Sequence, residues 1–160
     1  RERFPANLKF HKWAAQINDY YLAHRSNLTI VEHATEVIRR LNVLGISQVA
    51  VSNSNRLIVD INLSVIEISE FISFSISLDD VERGKPDPFP YQLATKNLGL
   101  RPDEILAVED SYSGIVSARA AGLKIAAFNV SGNFETATDF TIASLKEVIS
   151  IVETGRLMKA

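Results

Sequence analysis

The sequence contains no cysteine among its 160 residues, which excludes disulfide bonds, thiolate zinc sites and a cysteine nucleophile. This absence fits a reducing compartment, and we predict a cytoplasmic protein. No apolar run approaches the roughly 20 residues of a membrane span, and the charged start RERF is unlike a signal peptide. The net charge of −2, without long Lys/Arg blocks, argues against a basic binding surface. We therefore expect neither a nucleic-acid partner nor membrane association.

The overall composition is typical of a globular domain, with 46% hydrophobic and 22% charged residues. From about residue 30, short apolar segments alternate with segments of helical period. The predicted strands are 48–51, 71–77, 105–108, 124–128 and 139–142, and the predicted helices are 31–44, 56–63, 87–98, 114–121 and one ending at 152. This alternation predicts the α/β class, with a doubly wound, Rossmann-like parallel sheet covered by helices on both faces.

The N-terminal segment has a different pattern of apolar residues from the rest of the chain. Residues 1–28 carry aromatic and aliphatic side chains at loosely helical spacing, which indicates helices of an annex or cap. We therefore divide the chain into a partial helical cap, residues 1–28, and an α/β core, residues 29–160.

Polar residues follow two of the predicted buried strands, where ligands bind in doubly wound sheets. One group is 52–55 (SNSN), and the other begins with Glu109 and Asp110. Two adjacent carboxylates offer the hard oxygen ligands that suit Mg²⁺. The alternative is that Asp110 or Ser111 simply caps the following helix.

Two further residues have the chemistry of an anion site. Ser52 offers a hydroxyl where a strand turns into a helix, although an N-cap or a local turn would use the same hydroxyl. Lys85 lies in the segment 84–88 (GKPDP), whose prolines stiffen the loop. The alternative for Lys85 is a solvated surface lysine that contributes little to stability. Together, a metal site, a fixed cation and hydroxyl or amide donors indicate phosphoryl transfer.

Three segments stand in the order and spacing of known motifs: 49–54 (VAVSNS), 84–88 (GKPDP) and 108–114 (VEDSYSG). They resemble the second, third and fourth motifs of the haloacid dehalogenase (HAD) superfamily. The last two are similar to those of β-phosphoglucomutase-like and phosphoglycolate phosphatase-like members, and the resemblance covers about residues 28–152. It implies a Mg²⁺-dependent phosphatase or phosphomutase acting on a small phosphorylated metabolite, such as a sugar phosphate.

The resemblance also implies residue roles. The expected phosphate-binding residues are Ser52, Asn53, Ser54 and Lys85. Of these, Ser52 would bind the transferring phosphoryl group and Lys85 would neutralise its charge, which makes both catalytic. Glu109 and Asp110 would orient Mg²⁺, and Gly114 would allow close packing.

One expected motif is not in this sequence. The family's first motif, an Asp-x-Asp loop that supplies the nucleophile, is absent before Ser52, where Asp19 is the sole aspartate. In the family the cap lies between the first and second motifs, so residues 1–28 resemble the last helices of that cap. Because the sequence also begins with arginine, we expect these 160 residues to be part of a longer polypeptide. We expect the core to lack its central first strand and the 160 residues alone to be inactive.

Two other function classes stay open at this point. A non-catalytic HAD-like binding or scaffold protein would keep the metal and phosphate ligands without the nucleophile, and an Asp-x-Asp encoded upstream would decide for the enzyme. A receiver-type or nucleotide-binding α/β domain fits the alternation but leaves the segment 84–88 unexplained. The sequence selects neither the substrate nor the oligomeric state.

Overall fold

A computed structural model of the protein describes residues 10–130 and 138–155. Its α-helices are α1 Phe10–Ala23, α2 Ala34–Val43, α3 Arg56–Val65, α4 Phe89–Leu98, α5 Tyr112–Ala120 and α6 Lys146–Glu153, and its strands are β1 Val49–Val51, β2 Phe74–Ile76, β3 Leu106–Glu109, β4 Lys124–Phe128 and β5 Phe140–Ile142. Short 3₁₀ helices lie at Arg25–Asn27, Ser69–Phe71, Leu78–Asp80 and Pro102–Glu104. The alternation of strands and helices confirms the predicted α/β class.

Element boundaries differ from the predictions at β2 and at the start of α5. The predicted strand 71–77 shrinks to β2 because a 3₁₀ turn, Ser69–Phe71, precedes it. Helix α5 begins at Tyr112, before the predicted start at residue 114, because the Ser111 side chain accepts a hydrogen bond from the backbone N–H of Gly114. Predicted helix ends are more accurate, and α4 ends where Gly99 adopts a φ of +68°.

All strand pairs in the described residues are parallel, and they form two separate sheets. The first contains β1 and β2, and the second has the order β3–β4–β5. The break between β1 and β3 falls where the HAD resemblance implies a further central strand. That a segment of this protein occupies the break stays a prediction.

The hydrophobic core lies on both sides of the sheet, and successive side chains of β4 contribute to opposite sides. Ile125 and Ala127 pack in a cluster with residues of α4 and α5, whereas Ala126 packs with residues of α2 and α6. Successive side chains of a strand point to opposite sides of the sheet, and here both sides are covered. The predicted arrangement of helices on both faces is therefore confirmed for β4 and its neighbours.

Helix α1 packs against α3 through polar contacts. The Tyr21 hydroxyl donates to Asn62 Oδ1 at 2.6 Å, and Asn55 Nδ2 donates to Asn18 Oδ1 at 2.8 Å. Asn55 also caps α3, because its Oδ1 accepts the backbone N–H of Ile58. The division into a cap segment 1–28 and a core 29–160 stays a prediction, and residues 1–9, 131–137 and 156–160 lie outside the described residues.

None of the described helices combines the length and the apolar character that a bilayer span requires.

Candidate active site

Lys85 connects the carboxyl ends of the two sheets. Its Nζ donates to the backbone oxygen of Val51, at the end of β1, over 3.1 Å, and to Glu109 Oε1, at the end of β3, over 2.6 Å. The Lys85 and Glu109 side chains are only 10% and 6% exposed. The alternative interpretation of Lys85 as a solvated surface residue is therefore wrong, because its loop turns the ammonium inward onto a buried carboxylate.

Glu109 is enclosed by hydrogen-bond donors. Its Oε1 accepts the Tyr91 hydroxyl in addition to Lys85, and its Oε2 lies 3.3 Å from Ser111 Oγ. A β-carbon at Gly114 would overlap this carboxylate, so the glycine allows the close approach that we predicted for it. A buried carboxylate with a cation and two hydroxyls is well satisfied. The network fixes where the Lys85 ammonium lies.

Tyr91 is a member of this network that the sequence analysis missed. Its side chain is buried at 7% exposure, and its pKa is raised by burial first and then by the charge of Glu109. The phenol therefore stays protonated and acts as a hydrogen-bond donor. The available signal was a tyrosine early in the helix that follows the lysine loop, since a buried tyrosine hydroxyl usually requires a partner. The sequence does not name that partner.

The loop that carries Lys85 is held by side chains on both sides of it. Asn53 Oδ1 accepts the backbone N–H of Lys85 and Asn53 Nδ2 donates to its backbone oxygen, each over 2.7 Å. The Lys85–Pro86 peptide bond is cis. Near the end of the loop, Asp87 Oδ1 accepts the backbone N–H of Phe89 at 2.9 Å. The sequence predicted that prolines stiffen the loop 84–88, and these contacts hold the loop in place.

Ser52 and Ser54 form a local turn after β1. The Ser52 backbone N–H continues the pairing of β1 with β2 by donating to Ile76, and its Oγ accepts the backbone N–H of Ser54 at 3.0 Å. The Ser54 backbone oxygen accepts the N–H of Leu78. The turn that we named as the alternative role of Ser52 is thus present. The hydroxyl proton of Ser52 is not used in that turn, so it can still donate to a ligand.

The two predicted metal ligands lie in different environments. Asp110 is exposed, whereas the carboxylate of Glu109 is buried and paired with Lys85. Ser111, and not Asp110, caps α5. Within 10–130 and 138–155, no group of three or more His, Asp or Glu side chains is arranged for a metal ion. One exposed carboxylate beside this site still fits Mg²⁺, which binds few carboxylates and completes its shell with water and substrate oxygens.

Two surface cavities of about 280 and 270 Å³ lie away from these residues. The first is lined by β5 and α6, and the second lies beside His33 and Asn129. Neither is lined by Ser52, Lys85 or Asp110. These two cavities are therefore separate from the candidate site.

A second ion-pair network, which the sequence analysis also missed, lies beside β2. Arg56 pairs with Asp80 and, at 3.3 Å, with Asp60, and it donates to the Ser75 hydroxyl at 2.5 Å. Asp80 Oδ2 accepts both the backbone N–H and the hydroxyl of Ser77 at 2.7 Å. These hydrogen bonds from Ser77, followed by the contact with Arg56, lower the pKa of Asp80. This network ties the start of α3 to the turn after β2.

Solved structures share this fold at low sequence identity. A predicted phosphoglycolate phosphatase from Haemophilus somnus superimposes with a TM-score of 0.82 at 21% identity, covering 91% of this chain and 68% of that one. CbbY from Rhodobacter sphaeroides, solved in complex with phosphate, gives a TM-score of 0.80 at 21% identity, covering 92% of this chain and 69% of its own. At this identity the similarity demonstrates the fold alone.

Sequence relatives are more similar. The pyrophosphatase PpaX of Oceanobacillus iheyensis is 33% identical over 136 residues, covering 81% of this chain and 63% of the relative. PpaX of Bacillus pumilus is 34% identical over 134 residues, covering 79% of this chain and 62% of the relative. The chain thus spans less than two thirds of the length of these relatives. The family model for haloacid dehalogenase-like hydrolases matches residues 2–128, and the chain belongs to this family.

Proposed function

We propose that the protein transfers a phosphoryl group from a small phosphorylated compound, most simply to water, as a phosphatase of the HAD type. The observation that carries the proposal is the buried Lys85 ammonium between the ends of β1 and β3. In parallel α/β sheets, ligands bind beyond these strand ends. A fixed cation at that position suits the negative charge of a phosphoryl group.

Lys85 keeps the capacity to bind phosphate while paired. An ammonium has three N–H donors, and Val51 and Glu109 account for two of them. In the proposal the third donates to a phosphoryl oxygen. Glu109 then has the role of orienting the ammonium, since its carboxylate is held in turn by Tyr91.

Ser52 and Ser54 supply the neutral part of the phosphate site. The Ser52 hydroxyl accepts from the Ser54 backbone, so in the proposal its proton points to a phosphoryl oxygen and Ser54 contributes its side-chain hydroxyl. Donors that are already oriented require little reorganisation when charge develops on the phosphoryl oxygens.

For the cofactor we propose Mg²⁺ held by Asp110, with Glu109 beside it. When bound, Mg²⁺ would supply positive charge to the phosphoryl oxygens. The exposed Asp110 carboxylate fits this role, whereas Glu109 contributes mainly through Lys85.

The nucleophile and the substrate complete the proposal. No Asp-x-Asp loop stands before Ser52, so we assign attack on phosphorus to the aspartate of such a loop outside these 160 residues. The attack breaks the bond between phosphorus and the substrate oxygen, which leaves and takes up a proton. Water then cleaves the aspartyl-phosphate to inorganic phosphate and the free aspartate, or the phosphoryl group passes to a sugar hydroxyl in a mutase. The two relatives are named pyrophosphatases, so we propose pyrophosphate as a candidate substrate beside sugar phosphates.

The test uses the complete protein with Mg²⁺ and a panel of inorganic pyrophosphate, sugar phosphates and phosphoglycolate, with release of inorganic phosphate as the readout. Lys85→Met should lower turnover of the best substrate by about 10²–10³-fold. Lys96→Met, which removes an exposed lysine of α4, is the matched control and should retain turnover. Circular dichroism verifies that each variant is folded. No turnover of any panel member, or full turnover in folded Lys85→Met, would contradict the proposal.

A further inference from the structure

Asn53 contacts the lysine loop in a way that its predicted role does not explain. Its side-chain amide forms two hydrogen bonds with one residue, accepting from the backbone N–H of Lys85 and donating to the backbone oxygen of Lys85, each over 2.7 Å. A primary amide that satisfies both main-chain groups of one residue mimics a strand pairing and fixes that residue's backbone.

The neighbouring residue shows how closely the amide packs on the loop. A β-carbon placed on Gly84 would lie 2.6 Å from Asn53 Oδ1 and 3.2 Å from Asn53 Cγ. The glycine of the segment 84–88 thus leaves the space that the Asn53 amide occupies. Both hydrogen bonds and this packing join the turn after β1 to the loop that carries Lys85.

The position of the Lys85 side chain follows from that of its backbone. The ammonium must reach both Val51, at the end of β1, and Glu109, at the end of β3. A lysine side chain has several rotatable bonds, so a displaced backbone allows the ammonium to occupy other positions. Holding the backbone of Lys85 beside β1 keeps the ammonium at the gap between the sheets.

We propose that Asn53 is a positioning residue that binds phosphate only indirectly, by clamping the backbone of Lys85. This inference rests on the proposed function, in which Lys85 contacts the phosphoryl group. It replaces the direct phosphate contact that the resemblance implies for the Asn53 side chain. The two roles differ in one measurable respect, since an indirect role requires the Lys85 ammonium and a direct role does not.

A double-mutant cycle on the affinity for inorganic phosphate separates these roles. The complete protein is titrated with inorganic phosphate in a calorimeter as wild type, Asn53→Ala, Lys85→Met and the double variant. Asn53→Ala should weaken binding about tenfold, and it should have less than about a twofold effect when Lys85 is already Met. Asn97→Ala, at an exposed position of α4, is the matched control and should bind phosphate like the wild type.

The remaining outcomes overturn the inference and tell the two proposals apart. If the Asn53 and Lys85 effects multiply, or if Asn53→Ala binds normally while Lys85→Met does not, the clamp is wrong and the phosphate role of Lys85 stands. If Lys85→Met binds phosphate as tightly as the wild type, both proposals fail.

A second measurement applies even where a Lys85 variant does not fold. Hydrogen exchange is followed at the Lys85 backbone amide in the absence of phosphate, in the wild type, Asn53→Ala and Asn53→Asp. The aspartate keeps an acceptor oxygen, so it should retain most of the protection, whereas Asn53→Ala should lose it by about tenfold or more. Equal exchange rates at this amide in the wild type and in Asn53→Ala would overturn the clamp directly.

Discussion

The two ion-pair networks of this protein have similar chemistry and different burial. Lys85 and Glu109 have side chains that are 10% and 6% exposed, whereas those of Arg56 and Asp80 are 35% and 40% exposed. In each network the carboxylate also accepts hydrogen bonds from hydroxyl groups. A charge that loses its partner in the interior is not compensated by water, whereas one near the surface is. We therefore infer that the buried network fixes the position of the Lys85 ammonium, whereas the exposed network joins two segments of backbone.

Removing the cation from each network should give the largest difference between them. Lys85→Met leaves Glu109 buried without its cation and should lower the free energy of unfolding by about 3–5 kcal/mol. Arg56→Met should lower it by about 1 kcal/mol, because water can solvate the carboxylates that remain. Urea denaturation at pH 7 measures both values. Equal losses would show that burial does not distinguish the networks.

The next effect tests the space around Glu109. Gly114→Ala places a methyl group on the Glu109 carboxylate and should cost about 3 kcal/mol, because the buried pair must shift. Gly99→Ala is the matched control, since a β-carbon there would have nothing within 4 Å. Only the backbone strain of its φ of +68° remains, so this variant should lower the free energy of unfolding by about 1 kcal/mol. Thermal unfolding compares the two variants. A smaller loss for Gly114→Ala than for Gly99→Ala would refute the packing argument.

Tyr91 tests whether a neutral donor matters in the buried network. Tyr91→Phe removes the hydrogen bond to Glu109. It should lower the free energy of unfolding by about 1.5–2 kcal/mol, since the acceptor is charged and buried. Tyr20→Phe, at a side chain that is 66% exposed, serves as the control and should change little. Urea denaturation gives both values. Equal free energies of unfolding for the two variants would show that the Tyr91 hydroxyl does not stabilise the network.

The smallest effect is an acid dependence in the exposed network. The pKa of Asp80 is lowered by the hydrogen bonds from Ser77 and by Arg56, so its stabilisation is present above its unfolded pKa of about 3.9 and is lost as the pH falls through the folded value. Below about pH 4, the free energy of unfolding of the wild type should fall relative to that of Asp80→Asn. The expected fall is less than about 1 kcal/mol. Urea denaturation at pH 7 and at about pH 3 measures it. A wild-type advantage over Asp80→Asn that grows on acidification would contradict the sign.

Sequence analysis predicted the strand and helix alternation well because each element carries its own period. The segment 124–128 is an observed strand with the predicted bounds, since a buried strand needs only a short apolar run between turn residues. The start of α5 was missed because it depends on capping by Ser111. Capping is decided by which side chain reaches a free backbone amide, which the residue type alone does not specify.

For the candidate site, the sequence identified residue types and the structure assigned their partners. Lys85 was singled out by its glycine- and proline-containing loop, yet its burial depends on Glu109, which lies at the end of β3. The phosphate contact expected of Asn53 stays a prediction, and the structure adds that the Asn53 amide is hydrogen-bonded to the Lys85 backbone. Tyr91 drew no attention, because a tyrosine in an amphipathic helix is ordinarily part of a core.

The sequence by itself determined the α/β class, the family and the residues that surround the ends of β1 and β3, because local periodicity and motif order depend only on neighbours along the chain. The tertiary structure alone decided which carboxylate neutralises Lys85, which side chain holds its loop and where the pairing of strands is interrupted. These contacts join residues that are distant in sequence. The sequence offers several equivalent partners, and the structure selects among them by burial, by hydrogen-bond geometry and by the space left at Gly84 and Gly114.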